Sequence, residues 1–282
     1  MIDTVVISVP AMAGQTIQDG AEGWSMVRSN KGGRMFVKDA AVDAYSPKVT
    51  SYQRRVGIKQ WATYLRIEFS LPKLVYGDNF NELDDSQFEQ VVQMLGERLK
   101  RMGVSLPAEA IRKADVRSVH YSKNIVLSGG YTTSFVIGEI AKVNLNKRFD
   151  LTKVKYVEGE SACFYTSAHS FIAYDKVAEV ANTRKYTPEK ERLLQQIEQV
   201  RKQQRGLEIL RLEVRLSRTY KLRSLFKTLG FDIPATFESV FSCKKSQAVL
   251  LHYWNSMVAH NALALFAPTL GAKELLKQIA LV

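Results

Sequence analysis

Tyr174 and Lys176, a tyrosine and a lysine two residues apart, are the pair whose types and spacing best fit a chemical role. They belong to residues 171–176, a short run typical of a β-strand, in which positions i and i+2 share one face. A phenol has a pKa near ~10 in water, so a tyrosine that attacks phosphorus needs a cation close to its oxygen. Lys176 is placed to supply that cation. The alternative is an interfacial tyrosine with its ring on the core and a solvated lysine beside it.

Three further predicted strands carry ionisable residues at i and i+2 on their polar faces. If these strands are neighbours, the carboxylates of Glu68, Asp115 and Glu213 could hold Mg²⁺ or Mn²⁺, hard cations that prefer oxygen ligands. The bound ion would polarise a phosphate. The alternative is an antiparallel sheet with one wet face, whose opposite charges pair across strands and contribute little. The ionisable residues of the three strands are Arg66 and Glu68; Asp115 and Arg117; and Arg211, Glu213 and Arg215.

Histidines and cysteines add one candidate. His120 is a candidate metal ligand or acid–base group on the strand of Asp115, although parity places it on the opposite face unless a bulge intervenes. The four histidines never occur as His-x-His. Cys163 and Cys243 are far apart and lack paired spacing, so we expect free thiols and neither a disulfide framework nor a zinc site.

The net charge is the unusual feature of the composition. Forty Lys and Arg against 28 Asp and Glu give +12 over 282 residues, which favours a polyanionic partner such as nucleic acid. An anionic membrane is the weaker choice. The sequence contains no run of about eighteen apolar residues, so no membrane span is predicted. Because the N-terminus lacks the basic leader of a secretory signal, we expect a cytoplasmic protein.

The periodicity of apolar residues predicts an α+β fold, with a central antiparallel β-sheet, helices covering one face and a helical C-terminal segment. We expect two domains, a sheet-based catalytic domain at 1–218 and a helical segment packed on it at 219–282. The predicted strands are 1–10, 64–70, 114–121, a hairpin at 164–176 and 210–216. The predicted helices are 86–102, 132–143, 188–205, 219–229, 235–242, 244–262 and 272–280.

Several ordered motifs resemble the filamentous-phage gene II type replication initiators and the related phage and plasmid replication initiation factors. Each motif is short, and their order and spacing cover most of residues 1–230. The motifs are the opening Met1-Ile2-Asp3; residues 66–70 running into Pro72, Lys73, Gly77 and Asn79; residues 114–116; residues 173–176; and residues 210–215 followed by the basic helix at 220–222.

The resemblance implies an endonuclease and strand transferase that starts rolling-circle replication by nicking one DNA strand at an origin. Tyr174 matches the family's nicking tyrosine, which would keep the 5′ phosphate as a phosphotyrosine and leave a 3′ hydroxyl for a polymerase. Lys176 matches the lysine two positions on. The His-hydrophobic-His pair of better-known rolling-circle nucleases is absent. The alternative function is a non-catalytic DNA-binding regulator of phage or plasmid replication, and a third is an RNA-binding or structural protein.

The expected partners are origin DNA, as single strand or supercoiled duplex, and the host replication helicase and polymerase, without a membrane. Each phosphate contact by Lys or Arg would steepen the loss of affinity with salt. Tyr121 and Tyr165 are candidates to stack an unpaired base, and the alternative is a role in the core. The predicted DNA contacts are Arg66, Arg117, Arg211, Arg215, Lys221 and Arg223, and further candidates are Arg54, Arg55, Lys244 and Lys245.

Overall fold

The fold is described from a computed structural model of the chain, which divides into two compact units. The N-terminal unit comprises Ile2–Val119 and Asp232–Ser242, and the C-terminal unit comprises Met1, His120–Phe231 and Cys243–Val282. The described residues are 1–11, 24–28, 34–38, 45–58, 60–127, 130–143, 153–157, 159–182, 191, 194–195, 197–199, 208–232 and 235–258.

The elements follow in chain order. The strands are β1 (Ile2–Pro10), β2 (Trp24–Arg28), β3 (Arg34–Lys38), β4 (Lys48–Gly57), β5 (Gln60–Ser70), β6 (Asp115–Val126), β7 (Lys153–Val157), β8 (Ser161–Tyr165), β9 (His169–Asp175) and β10 (Ile209–Leu216). The helices are α1 (Leu71–Tyr76), α2 (Phe88–Arg101), α3 (Ala108–Arg112), α4 (Thr133–Ala141), α5 (Lys176–Asn182), α6 (Thr219–Thr228), α7 (Phe237–Val240) and α8 (Cys243–Val258).

In the N-terminal unit the strands lie in the order β2-β3-β4-β5-β1, and residues 115–119 of β6 also belong to this unit. The pairs are antiparallel, and Ile7 of β1 lies opposite Ile67 of β5. The alternation in β5 is confirmed, since Leu65, Ile67 and Phe69 are all buried. Helix α1 follows β5 directly because Ser70 Oγ accepts the Lys73 N–H, a typical N-cap.

In the C-terminal unit residues 120–126 of β6 begin the order β6-β10-β9-β8-β7. Helix α4 packs on β8 and β9, while α5, α6 and α8 contact β10. The prediction that one face of β10 is exposed is wrong, because Arg211 is 1% exposed and Glu213 is 2% exposed. On this polar face Arg211 donates to Ser122 and Asn124 of β6, and Glu213 accepts from Tyr174 of β9.

The structure confirms the predicted α+β class, with an antiparallel sheet and helices. The predicted domain division at residue 218 stays a prediction, while the compact units divide the chain within β6. Most of the helix predicted at 188–205 and all of that at 272–280 lie outside the described residues. Among the described helices, none has the length and apolar character needed to cross a bilayer.

Phe237 provides a test of the N-terminal core. Its fully buried ring lies 5.6 Å from that of Phe69 and 5.3 Å from that of Phe88, measured between centroids. Because Phe237→Ala leaves a cavity between these rings, we expect the free energy of unfolding in urea to fall by about 3–5 kcal/mol. The matched control is Phe135→Ala, a ring that is 49% exposed, with an expected loss of about 1 kcal/mol. Equal losses would contradict this assignment of the core.

Candidate functional site

Tyr174 lies on the polar face of β9, near the end of the strand. In the antiparallel register it stands opposite Arg211 of β10 and Ser161 of β8, and opposed residues share a face of the sheet. Its side chain is half-buried, and its hydroxyl donates to Glu213 Oε2 at 3.3 Å. The structure therefore brings the phenol within hydrogen-bond distance of one of the three predicted acids.

Glu213 is the centre of a network that joins three strands. Its Oε1 accepts a hydrogen bond from Arg215 Nε at 2.7 Å and lies 3.2 Å from His120 Nδ1 on β6. Its Oε2 accepts from Tyr174 and lies 4.0 Å from Arg211 Nε. Two arginines, one histidine and one phenol therefore surround a single buried carboxylate.

The network holds Glu213 ionised. Burial by itself raises the pKa of this carboxyl, but the hydrogen bond from His120 and the charge of Arg215 outweigh burial and lower the pKa well below the usual range. Burial also works against the charge of Arg215, yet the Glu213 carboxylate more than compensates and raises the pKa of the guanidinium. Both groups are charged at neutral pH, so Glu213 is a hydrogen-bond acceptor and a weak base.

Arg211 is held mainly by neutral partners. Its Nη1 donates to Asn124 Oδ1 at 3.1 Å and its Nη2 to Ser122 Oγ at 2.9 Å. We predicted Arg211 as a DNA contact, but its buried side chain cannot reach DNA from its present position. Sequence reasoning missed Ser122 and Asn124. The signal that could have found them is parity, since residues 120, 122 and 124 of β6 share a face.

The prediction that Lys176 continues the strand of Tyr174 is wrong. Asp175 Oδ1 accepts the N–H groups of Val177 and Ala178, each at 2.8 Å, and thereby caps α5, which begins at Lys176. Lys176 is fully buried, and its Nζ lies 2.7 Å from Glu179 Oε2. The same ammonium lies 5.9 Å from the centre of the Tyr174 ring. The Lys176 ammonium therefore lies near the Tyr174 ring, but Lys176 belongs to helix α5 and not to the strand that carries Tyr174.

The predicted trio of carboxylates is divided between the two units. Glu68 and Asp115 belong to the N-terminal unit, and Glu213 belongs to the C-terminal unit. Glu68 lies 3.8 Å from Arg66, and Asp115 lies 3.7 Å from Arg117. These are cross-charge pairs along one strand, as expected for a solvated sheet face. Within the C-terminal unit, the possible metal ligand beside Glu213 is the imidazole of His120 and not a second predicted acid.

The other predicted contacts are placed as follows. Tyr121 is fully buried, and burial raises the pKa of its phenol strongly, so the prediction that it stacks a base is wrong. Tyr165 is half-buried on β8, and its role stays a prediction. The predicted DNA contacts with accessible side chains are Arg66 at 51% and Arg215 at 42% exposure, the half-buried Arg117 and Lys221, and the exposed Arg223.

Comparison with known proteins adds little to this site. No family model matches the chain, and no curated protein matches it. Among solved structures, DynU16, from the dynemicin biosynthetic locus, is 12% identical, with 93% of this chain and 98% of that chain covered and a TM-score of 0.24. A likeness this weak carries no argument about fold or function. The residues of the chain must therefore carry the functional conclusion.

Removing the charge of Glu213 tests the network. Because Glu213→Gln leaves Arg211 and Arg215 near a neutral amide, we expect the free energy of unfolding at pH 7 to fall by about 3–5 kcal/mol. The native pKa is lowered, so this stabilisation is complete above the unfolded glutamate pKa of about 4.3 and is lost as pH falls below it. Urea unfolding from pH 7 to pH 3 should therefore show the two proteins converging.

The control for this measurement is an exposed acid in an ion pair. Glu238 is 47% exposed and pairs with Lys113 at 2.6 Å. For Glu238→Gln we expect a loss of about 1 kcal/mol or less, because a solvated pair contributes little. A difference between wild type and Glu213→Gln that stays constant down to pH 3 would contradict the ionised state assigned to Glu213.

Proposed function

We propose that this protein is a DNA nicking and joining enzyme that starts rolling-circle replication through a covalent bond to Tyr174. The observation that carries the proposal is the hydrogen bond between the half-exposed Tyr174 hydroxyl and the buried Glu213 carboxylate. That carboxylate also holds His120 and Arg215. A phenol beside fixed cations is the arrangement that tyrosine attack on a phosphodiester requires.

The reaction balances without a further reactant. Tyr174 Oη attacks phosphorus, the bond from phosphorus to the 3′ oxygen breaks, and the 5′ phosphate stays on the tyrosine. The phenol loses one proton and the leaving 3′ oxygen gains one. The 3′ hydroxyl can then attack the phosphotyrosine and restore the strand. Because Glu213 is a weak base, its role is to orient the phenol, and His120 is the candidate acid–base group of the network.

The charge balance of the network suits a phosphate. Arg211 and Arg215 carry two positive charges beside the single negative charge of Glu213. Phosphoryl transfer asks a protein mainly for positioning and for cations near the charge that develops on oxygen. Arg215 is partly exposed and can reach a phosphate oxygen, whereas the buried Arg211 acts through the field of its charge.

The C-terminal unit suits a divalent metal ion that accepts nitrogen as well as oxygen ligands. His120 offers an imidazole nitrogen, with Glu213 as the carboxylate that supports the ring, and a nitrogen ligand suits Mn²⁺ better than Mg²⁺, which favours oxygen alone. Since Nδ1 of His120 faces Glu213, Nε2 is the remaining ring nitrogen, and a carboxylate behind the ring is the usual support of a metal-binding histidine. A bound ion would polarise a phosphoryl oxygen.

The wider partners follow from the same proposal. Helix α6 presents Lys221 and Arg223 and has no acidic residue in its sequence, so it suits a phosphate backbone. Arg66 and Arg117 are candidates for the N-terminal unit. Origin DNA would be the substrate, the host helicase and polymerase would use the free 3′ end, and the cytoplasm would be the site of action.

Formation of a covalent adduct tests the nucleophile. Wild-type protein, Mn²⁺ and a single-stranded origin oligonucleotide labelled on the 3′ side of the nick should give a labelled protein band in denaturing gels. Tyr174→Phe should abolish the band, because phenylalanine has no oxygen to attack phosphorus. Tyr165→Phe is the matched control, since Tyr165 is also a half-buried tyrosine of the same sheet, and it should retain the band.

Two results would contradict the proposal. An undiminished adduct in Tyr174→Phe would exclude this nucleophile. Salt-sensitive DNA binding with no nick under Mn²⁺ or Mg²⁺ would favour the alternative, a non-catalytic DNA-binding regulator. A nick that forms equally well with excess chelator would reject the metal while leaving the tyrosine in place.

A further inference from the structure

The β4–β5 hairpin of the N-terminal unit extends beyond its neighbouring strands. β3 pairs with β4 at residues 50–52, and β1 pairs with β5 at residues 64–70. Further out, residues 53–57 and 60–63 pair with each other across the hairpin. Among the described residues, these pairings leave a two-stranded ribbon, at whose base Thr63 O still accepts a hydrogen bond from Ala11 N at 2.9 Å. At about 3.4 Å per residue, residues 53–57 give it a length of roughly 17 Å.

The tip of this ribbon is both apolar and basic. Ile58 is 87% exposed, Trp61 54% and Val56 53%. Residues 53–61 contain three basic residues and no acidic one. Arg55 is exposed, and its Nε donates to Gly57 O at 3.0 Å, which fixes the guanidinium beside the turn. Since exposed apolar side chains gain nothing from water, this combination indicates a ligand with both negative charge and an apolar interior.

We propose that the β4–β5 ribbon enters the minor groove of duplex DNA and inserts Ile58 between base pairs. A groove offers phosphates to Arg55 on its walls, and stacked bases accept an apolar wedge that kinks the duplex. Gln53 and Gln60 add neutral hydrogen-bonding groups to the ribbon. The proposal adds a second DNA contact to the proposed function and does not depend on the chemistry of Tyr174.

The test separates kinking from cleavage. Tyr174→Phe protein without divalent ions is mixed with a 30-base-pair duplex that carries a fluorophore pair at its ends and a central 2-aminopurine. Binding should increase energy transfer between the ends and raise the 2-aminopurine emission as bases unstack. Adding Ile58→Ser should remove both signals and weaken binding by roughly tenfold, the order expected for withdrawing one isoleucine side chain from an apolar site. Ile58→Leu should retain them.

Two controls complete the experiment. Val154→Ser alters another exposed apolar residue, 53% exposed, in the other unit, and should leave binding and kinking unchanged. Arg55→Ala should reduce the slope of log affinity against log salt by about 0.9, the value for one phosphate contact. Three results would each overturn the proposal. The first is that the Tyr174→Phe protein does not kink the duplex, and the second is that Val154→Ser loses as much binding and kinking as Ile58→Ser. The third is that Ile58 is needed for binding to anionic vesicles and the protein does not bind DNA. A failed adduct at Tyr174 would leave these signals unaffected.

Discussion

The buried carboxylate of Glu213 is the interaction on which the candidate site depends. Three strands deliver its partners, His120 from β6, Tyr174 from β9 and Arg215 from β10 itself. Desolvating one negative charge is costly, and the cost is offset here because several donors converge on it. The same convergence fixes the Tyr174 phenol, so the contacts that stabilise this sheet face also orient the proposed nucleophile.

The low pKa of Glu213 also constrains the chemistry. A carboxylate held ionised by Arg215 cannot readily take the phenol proton, so it cannot be the general base of a Tyr174 attack. The network instead favours stabilisation of a phenolate by neighbouring cations, two of which, Arg211 and Arg215, lie near the same carboxylate. In the proposed reaction one acid in the C-terminal unit would be enough, because it would position Tyr174 and leave net positive charge for a phosphate.

The strands of this fold could be predicted because alternation is a local signal. β5, β6 and β10 were expected from their periodicity and are present. The end of β9 was missed at Asp175, whose side chain caps α5 and turns Lys176 out of the strand. The burial of Arg211 could not be predicted, because it depends on Ser122 and Asn124 about 90 residues away. Likewise, periodicity does not give the order of strands in the sheet. The spacing of Glu68, Asp115 and Glu213 could therefore not show that these acids are divided between two units.

The distribution of positive charge suggests how the two units would share the handling of DNA. The net charge of +12 attracts any polyanion, but it does not fix the position of the protein along the DNA, which is its register. Register needs fixed groups, and each unit carries its own, the arginine network and α6 in one and the β4–β5 ribbon in the other. A nick requires an accessible strand, and a wedge that unstacks a duplex lowers the cost of exposing one. The proposed wedge of the β4–β5 ribbon would therefore complement the proposed cleavage by Tyr174.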